Sequence, residues 1–430
     1  MLIEFCVGNY RSFRNLVTLS MVAANLKSQD KQLDENNVFD SGRNLRLLTS
    51  AAIYGANASG KSNLIQAMQF MQSFVIGSAE GTKPTGGIEV EPFRLNTVTE
   101  KSPSHFQTVF LVQGLRFRYG FEVTSERVVS EWLYRTSTIR ETCLFDRQGD
   151  TFTIGSHFKE GKGLDSKTRP RALFLSVAAQ FNGKIAQRVM EWFRSFHVVS
   201  GLEDEGMIGY TLESFENGEH RDSIRSLVTR LDLGIQDVSV RMSTFKATEL
   251  PQDAPEPVRE LASRMPEVEF KQAEVGTQHQ KFDSEGNSVG VVDFLLDEHE
   301  SDGTQKLFAM AGPLIHTLKS GQILVIDEFD TRLHPLITQV IIGLFNSGQT
   351  NPNHAQLVFA THDTNLLDRR FFRRDQVWFT EKDRQGATQL YSLADFRVRN
   401  DASYGRDYIR GKYGAVPYVG DLGRIVSEEV

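Results

Sequence analysis

Gly55-Ala56-Asn57-Ala58-Ser59-Gly60-Lys61-Ser62 fits the pattern GxxxxGK[ST], and the residues on either side give it a setting. Upstream, LRLLTSAAIYG reads as a buried strand. Downstream, Lys61 to Phe74 places Leu64, Ile65, Met68 and Met71 on one helical face. A strand, a glycine-rich loop and a helix make the unit that cradles phosphates. The glycines let backbone N–H groups close around phosphate oxygens, and the helix N-terminus adds positive potential. Lys61 is expected to reach the terminal phosphates and Ser62 to hold Mg²⁺.

A second cluster lies far along the chain. QILVIDEF, from Gln322, is a continuous apolar strand that ends on Asp327 and Glu328. Strands apolar on both faces belong to a mostly parallel sheet covered by helices, and such sheets bind ligands beyond their C-terminal strand ends. Asp327 is therefore expected to bind Mg²⁺, directly or through water, and Glu328 to orient and deprotonate an attacking water. Pro335 to Phe345 reads as a helix, and QLVFATH as a second buried strand ending on His362.

Outward from these motifs, LIEFCVGNYRSF and LVTLSMVA alternate as strands around a turn at Gly8 to Asn15, and a polar loop is expected from Lys27 to Asn44. Thr82 to Glu91 reads as loose chain. FQTVFLVQGLRFRYGFEVT predicts a hairpin turning at Gln113-Gly114, with a further strand at Val128 to Thr136. Ala172 to Ala179 is more strand-like, whereas Ile185 to Phe196, Arg221 to Leu233 and Pro257 to Arg264 are helical. No heptad pattern is sustained between Ser62 and Glu300, so no long coiled coil is expected. The fold class is α/β with an antiparallel β subregion and an inserted, mainly helical lobe. The organisation expected is 1–170 for the first part of the head, 171–290 for the lobe, and 291–430 for the second part.

The 430-residue chain is 40% hydrophobic, ordinary for a globular protein. Its start lacks the features of a signal peptide, and no apolar run approaches the roughly 20 residues that cross a bilayer, so a cytoplasmic location and no membrane contact are expected. Cys6 and Cys143 are too few and too isolated for a disulfide framework or a zinc site. A net charge of −7 makes the whole surface a poor partner for nucleic acid. Residues 369–412 depart from this, with eleven basic against six acidic side chains. Arg369, Arg370, Arg373 and Arg374 interleave there with Phe371, Phe372 and Trp378, either as solvated surface or as a contact for nucleic acid or an acidic partner.

Glu300-Ser301-Asp302-Gly303-Thr304-Gln305, shortly before the acidic strand, resembles the signature of ABC ATPases, although it lacks the usual LSGGQ wording. His362 matches their switch histidine, and Asn9-Tyr10-Arg11-Ser12-Phe13 is similar to the NFRSF opening of RecF and SMC-type ATPases. More narrowly, NYRSF, YGANASGKSN, ESDGTQKLF, DEFDTRLHP and GKYGAVPY together resemble stand-alone bacterial AAA/ABC-like ATPases of abortive infection and restriction-linked phage defence, the AbiL and RloA type. The resemblance implies an ABC-type P-loop head that binds and hydrolyses ATP with Mg²⁺. Nucleotide would be contacted by Gly55, Asn57, Ala58, Ser59, Gly60, Lys61, Ser62 and Asn63, with Arg11 and Ser12 beside it. Gln180, ending FLSVAAQ, is the candidate for the glutamine lid, which no motif marks.

The resemblance also implies assembly. In ABC ATPases the signature closes over nucleotide held by a second subunit, so Ser301 and Gly303 would act in trans within a homodimer or higher homo-oligomer, with Leu333-His334-Pro335 along the seam. A separately encoded effector and a nucleic-acid or phage-protein trigger are expected partners. Other readings are a RecF- or SMC-like DNA-repair ATPase and a nucleotide-gated switch with little turnover. An OLD-type nuclease would need a Toprim domain after His362, where 68 residues remain without a DxD and its partner glutamate. A hexameric AAA+ remodeller would need an arginine finger and sensors.

Overall fold

In the computed structural model, the described residues are 1–42, 44–80, 87–137, 140–231, 234–246, 256–265, 269–399 and 402–417. The chain forms two compact units. The first comprises Met1–Leu202, Thr317–Thr331 and Thr338–Val430, and the second Glu203–His316 with Arg332–Ile337.

The first unit contains two large sheets. One is the parallel sheet expected from the apolar runs. Phe196–Ser200, Ile323–Asp327, Gln356–Ala360, Ser50–Tyr54 and Val377–Lys382 lie side by side in that order, and Thr388–Ser392 closes one edge antiparallel. Ser50–Tyr54 and Gln356–Ala360 are buried at every position, as strands covered on both faces must be. The other sheet has seven strands, all antiparallel, including Leu2–Gly8 and Val17–Ser20. Its central hairpin joins Ser104–Val112 to Leu115–Val123 through Gln113 and Gly114, both at positive φ (48° and 72°), as a tight type I′ turn requires.

The Lys61–Gly77 helix buries Leu64, Ile65, Met68 and Met71, the face read from its spacing, in one core with Phe106, Phe121 and Ile53. Buried Gln356 links the two sheets of this unit: its Oε1 accepts from the Leu2 N–H (2.6 Å), and its Nε2 donates to the carbonyls of Leu2 and Leu48.

Three expectations are revised. The stretch expected as loop between Lys27 and Asn44 holds a short helix, Lys31–Asn36, because Asp30 caps it by accepting from the Gln32 N–H and Leu33 is buried; Val38–Asp40 follows as a strand. Ala172–Ala179 is no strand: Phe174–Gln180 is helical, since the buried Glu131 carboxylate accepts from the N–H groups of Phe174 and Leu175 at the helix start (2.6 and 2.9 Å). Residues 171–202 then pack within the first unit, with Phe174, Val189, Trp192 and Phe196 in its core, so the lobe begins near Glu203 instead of at residue 171.

The second unit is not purely helical. Helices Glu205–Glu216, Arg221–Arg230 and Glu256–Arg264 accompany a three-stranded antiparallel sheet of Ile235–Lys246, Glu269–Phe282 and Ser288–Leu295. Phe215, Ile224, Val228, Val238, Val275 and Phe308 share its core. The helix expected to reach Leu233 is described to Arg230, and Asp232 and Leu233 lie outside the described residues, as do residues 81–86 and Tyr418. Among the described residues, no helix is long and apolar enough to cross a membrane.

Candidate nucleotide site

Three adjacent parallel strands bring the motifs of the first unit to one edge. Ser50–Tyr54 delivers the loop at residues 55–60, Gln356–Ala360 delivers His362, and Ile323–Asp327 delivers Asp327 and Glu328. The strands are in register and parallel, so all three C-terminal ends face the same way.

The loop is packed too tightly for side chains at its glycines. A Cβ on Gly55 would lie 2.5 Å from the Ser59 hydroxyl and from the Thr380 carbonyl, and one on Gly60 (φ 114°) would lie 2.4 Å from Thr388 Oγ1. Neighbouring polar groups hold the loop from outside. The Ser59 and Thr380 hydroxyls share a 2.7 Å hydrogen bond, and the Thr388 hydroxyl lies 2.8 Å from both the Ser59 carbonyl and the Ser12 hydroxyl. Asn63 donates to Ser12 (2.7 Å), and Arg11 donates to Gln66 on the loop helix. Arg11, Ser12, Asn63 and the loop are thus one bonded group.

Lys61 is 6% exposed, and its ammonium donates to the carbonyls of Gly55 (2.8 Å) and Ala56 (3.2 Å) across the loop. Burial lowers its pKa to about 8, against the opposing pull of Asp327, Glu328 and Asp330. His362 is held below its ordinary value by desolvation and by the Lys61 ammonium, with the same three acids opposing. Lysine, histidine and three carboxylates therefore act on one another electrostatically. Asp330 lies close enough to accept a long contact from the His362 N–H (3.4 Å). A cleft of about 870 Å³ opens over Gly55–Ser59, walled by His362, Thr364, Thr380 and Tyr408.

Several contributors carry no motif. Glu328 has φ 49°, and the Phe329 N–H binds the Ala360 carbonyl, which turns the chain sharply after the strand. Gly201 makes room for that turn: its N–H donates to the Asp327 carbonyl (2.7 Å), and a Cβ there would lie 2.2 Å from the Glu328 carbonyl oxygen. Thr380 and Thr388 come from the far edge of the sheet. Only Asp330 lay inside a stretch already singled out, DEFDTRLHP.

Gln180 is not brought to this group. It ends a helix whose Ser176 hydroxyl donates to the Val75 carbonyl, near the far end of the loop helix and roughly 20 Å along it from Lys61. Ser301 and Gly303 belong to the second unit. Ser301 begins the Asp302–Ser320 helix, its hydroxyl accepting from the Thr304 N–H (3.2 Å), and a Cβ on Gly303 would lie 2.7 Å from the Arg332 carbonyl. Asp204 draws Arg332 (2.7 Å) and Lys306 (3.5 Å) together in that unit.

Within the basic segment Arg373 is a structural residue, whereas Arg370 and most of the other basic side chains are exposed. Arg373 is 2% exposed, bonded through two nitrogens to Asp375 (3.0 and 2.8 Å), paired with Asp34 and donating to the Ala24 carbonyl. Phe372 and Trp378 are buried, so neither offers a stacking face. Arg369 donates to Gln29, and Arg370 pairs with Asp368 at the surface.

A phosphate loop beside paired carboxylates on a parallel sheet defines a P-loop nucleotide-binding protein. The chain belongs to the AAA-type ATPase family described as "AAA domain, putative AbiEii toxin, Type IV TA system", which matches residues 50–368. Among solved structures it is similar to the SMC head domain from Thermotoga maritima (16% identity, 91% of this chain and 98% of that one, TM-score 0.40) and to the Smc head domain with a coiled coil and joint from Pyrococcus yayanosii (11%, 96% and 99%, TM-score 0.42). It is also similar to the recombination mediator protein RecF with ATP (14%, 91% and 97%, TM-score 0.35). No curated protein matches the chain.

Proposed function

We propose that the chain is an ABC-type ATPase that binds Mg-ATP on the loop at Gly55–Ser62 and hydrolyses it with Glu328 as the base. The observation that carries this reading is the meeting of Lys61, Asp327, Glu328 and His362 at the ends of three neighbouring strands. Lys61 binds the β and γ phosphates in place of the two loop carbonyls. Glu328 takes a proton from the attacking water, and His362, kept neutral at physiological pH, orients the terminal phosphate. Ser62 and Asp327 supply hard oxygen donors of the kind Mg²⁺ prefers, and the ion neutralises phosphate charge when bound. Ser301 and Gly303 act on the nucleotide of a second copy, so turnover requires a homodimer.

The family's description, which names a "putative AbiEii toxin" of a type IV toxin–antitoxin system, supports a further step. The ATPase serves as sensor or motor in phage defence of the AbiL or RloA kind, with a separately encoded effector and a phage-protein or nucleic-acid trigger. Phosphate release measured across protein concentrations tests the assembly claim. The rate per chain rises with concentration if sites are shared between copies, and a constant rate per chain from a monomer contradicts it.

A further inference from the structure

Within the second unit, two histidines and a glutamate converge away from every motif used above. Glu219 and His220 join the Glu205–Glu216 helix to the Arg221–Arg230 helix, and His316 lies on the Asp302–Ser320 helix. His220 Nε2 lies 3.4 Å from His316 Nδ1 and 3.8 Å from Glu219 Oε1, and one donor atom from each residue falls within 4.8 Å of the others.

At 3.4 Å the two ring nitrogens make at most a long hydrogen bond. The separation suits a shared metal. Zinc binds imidazole nitrogen at about 2.0–2.1 Å, so two nitrogens at a tetrahedral angle stand about 3.3 Å apart. The surroundings add a second observation. His220 is 7% exposed, and its Nδ1 meets no partner among the described residues, which leaves Nε2 as the ring's polar contact. Glu219 is exposed and free to swing its carboxylate inward, and the Tyr210 ring stands edge-on to His316 at 5.6 Å. Arg221, the nearest cation in sequence, is turned away and donates to the carbonyls of Phe215 and Glu216.

We infer that the second unit carries a transition-metal site of the zinc class, with His220 Nε2, His316 Nδ1 and the Glu219 carboxylate as ligands and water completing the tetrahedron. Two nitrogens and one oxygen match the borderline character of Zn²⁺ and suit Mg²⁺ or Ca²⁺ poorly. Bound there, the ion ties the turn between two helices to the helix that Ser301 begins.

The test uses the full chain, stripped with a chelator and titrated with Co²⁺ as a spectroscopic probe and Zn²⁺ as the competitor. The parent should bind one Co²⁺ with the intense visible bands of a tetrahedral site, and one equivalent of Zn²⁺ should erase them. His220→Gln and His316→Gln should lose the bands, and exposed Glu219→Gln, which leaves the core intact, should weaken Co²⁺ binding at least tenfold. Zinc should raise the thermal midpoint of the parent, and at the same zinc concentration raise that of Glu219→Gln by less. Absence of tetrahedral bands in the parent, or bands of undiminished strength in Glu219→Gln, would overturn the site.

Discussion

Lys61 stands between opposed influences: burial disfavours its charge, and Asp327, Glu328 and Asp330 favour it. Burial prevails, leaving a pKa of about 8. Phosphates bind the charged form, so they raise this pKa when they arrive, and binding takes up a proton wherever the pH exceeds the value of the free site. ATP affinity should therefore fall as pH rises from 7 to 9, approaching tenfold per unit above 8. Lys61→Arg, charged throughout, should flatten that slope, and Lys61→Ala should abolish binding. Equilibrium binding of labelled ATP checks all three, and undiminished affinity in Lys61→Ala would remove the loop from the account. At Gly201, a Cβ would press on the Glu328 backbone. Gly201→Val should lower turnover at least tenfold while ATP binding holds, because a displaced base costs rate before affinity. The loop, Asp327, Glu328 and His362 were legible because each ends an apolar strand. Gly201 and Thr388 were not, because their role is to fit against a segment more than a hundred residues away in sequence.

Among the elements, the Phe174–Gln180 helix shows where local patterning gives way. ALFLSVAA has no capping residue of its own and reads as a buried strand, yet Glu131 caps it from the antiparallel sheet. That carboxylate also accepts from the Tyr119 hydroxyl (3.0 Å) and lies 3.7 Å from Arg147, with both charged side chains essentially unexposed. Removing one charge of a buried pair strands the other, at a cost of about 3–5 kcal/mol. Glu131→Ala should lower the unfolding midpoint accordingly, and adding Arg147→Met should recover part of the loss. Calorimetry on the two variants decides, and an unchanged midpoint in Glu131→Ala would show that the pair is dispensable. The Val128 to Thr136 strand and the Gln113-Gly114 hairpin were legible because alternation and turn chemistry are local signals. The sheet of the second unit was not: Val238, Val240 and Met242 do alternate with polar residues, but the central strand, Glu269–Phe282, is mostly polar and gives no sign of the buried face it pairs there.

At the scale of the whole molecule, nucleotide should join copies of the chain. With hydrolysis blocked, the closed form should accumulate, so Glu328→Gln should assemble with ATP and Mg²⁺ and remain apart with ADP. Ser301→Arg should undo that assembly. Ser301→Asp should do so too, since it keeps an acceptor at the helix cap while placing a carboxylate toward the phosphate. Sedimentation of the single and double variants reads both effects, and assembly that ignores Ser301 would show that ESDGTQ is not a signature. Phosphate release by parent and Glu328→Gln, measured beside ATP affinity on the same preparations, separates the base from the binding site. Affinity should stay within about threefold of the parent and turnover should fall by roughly 10²–10⁴; equal turnover in the two proteins would rule out Glu328 as the base.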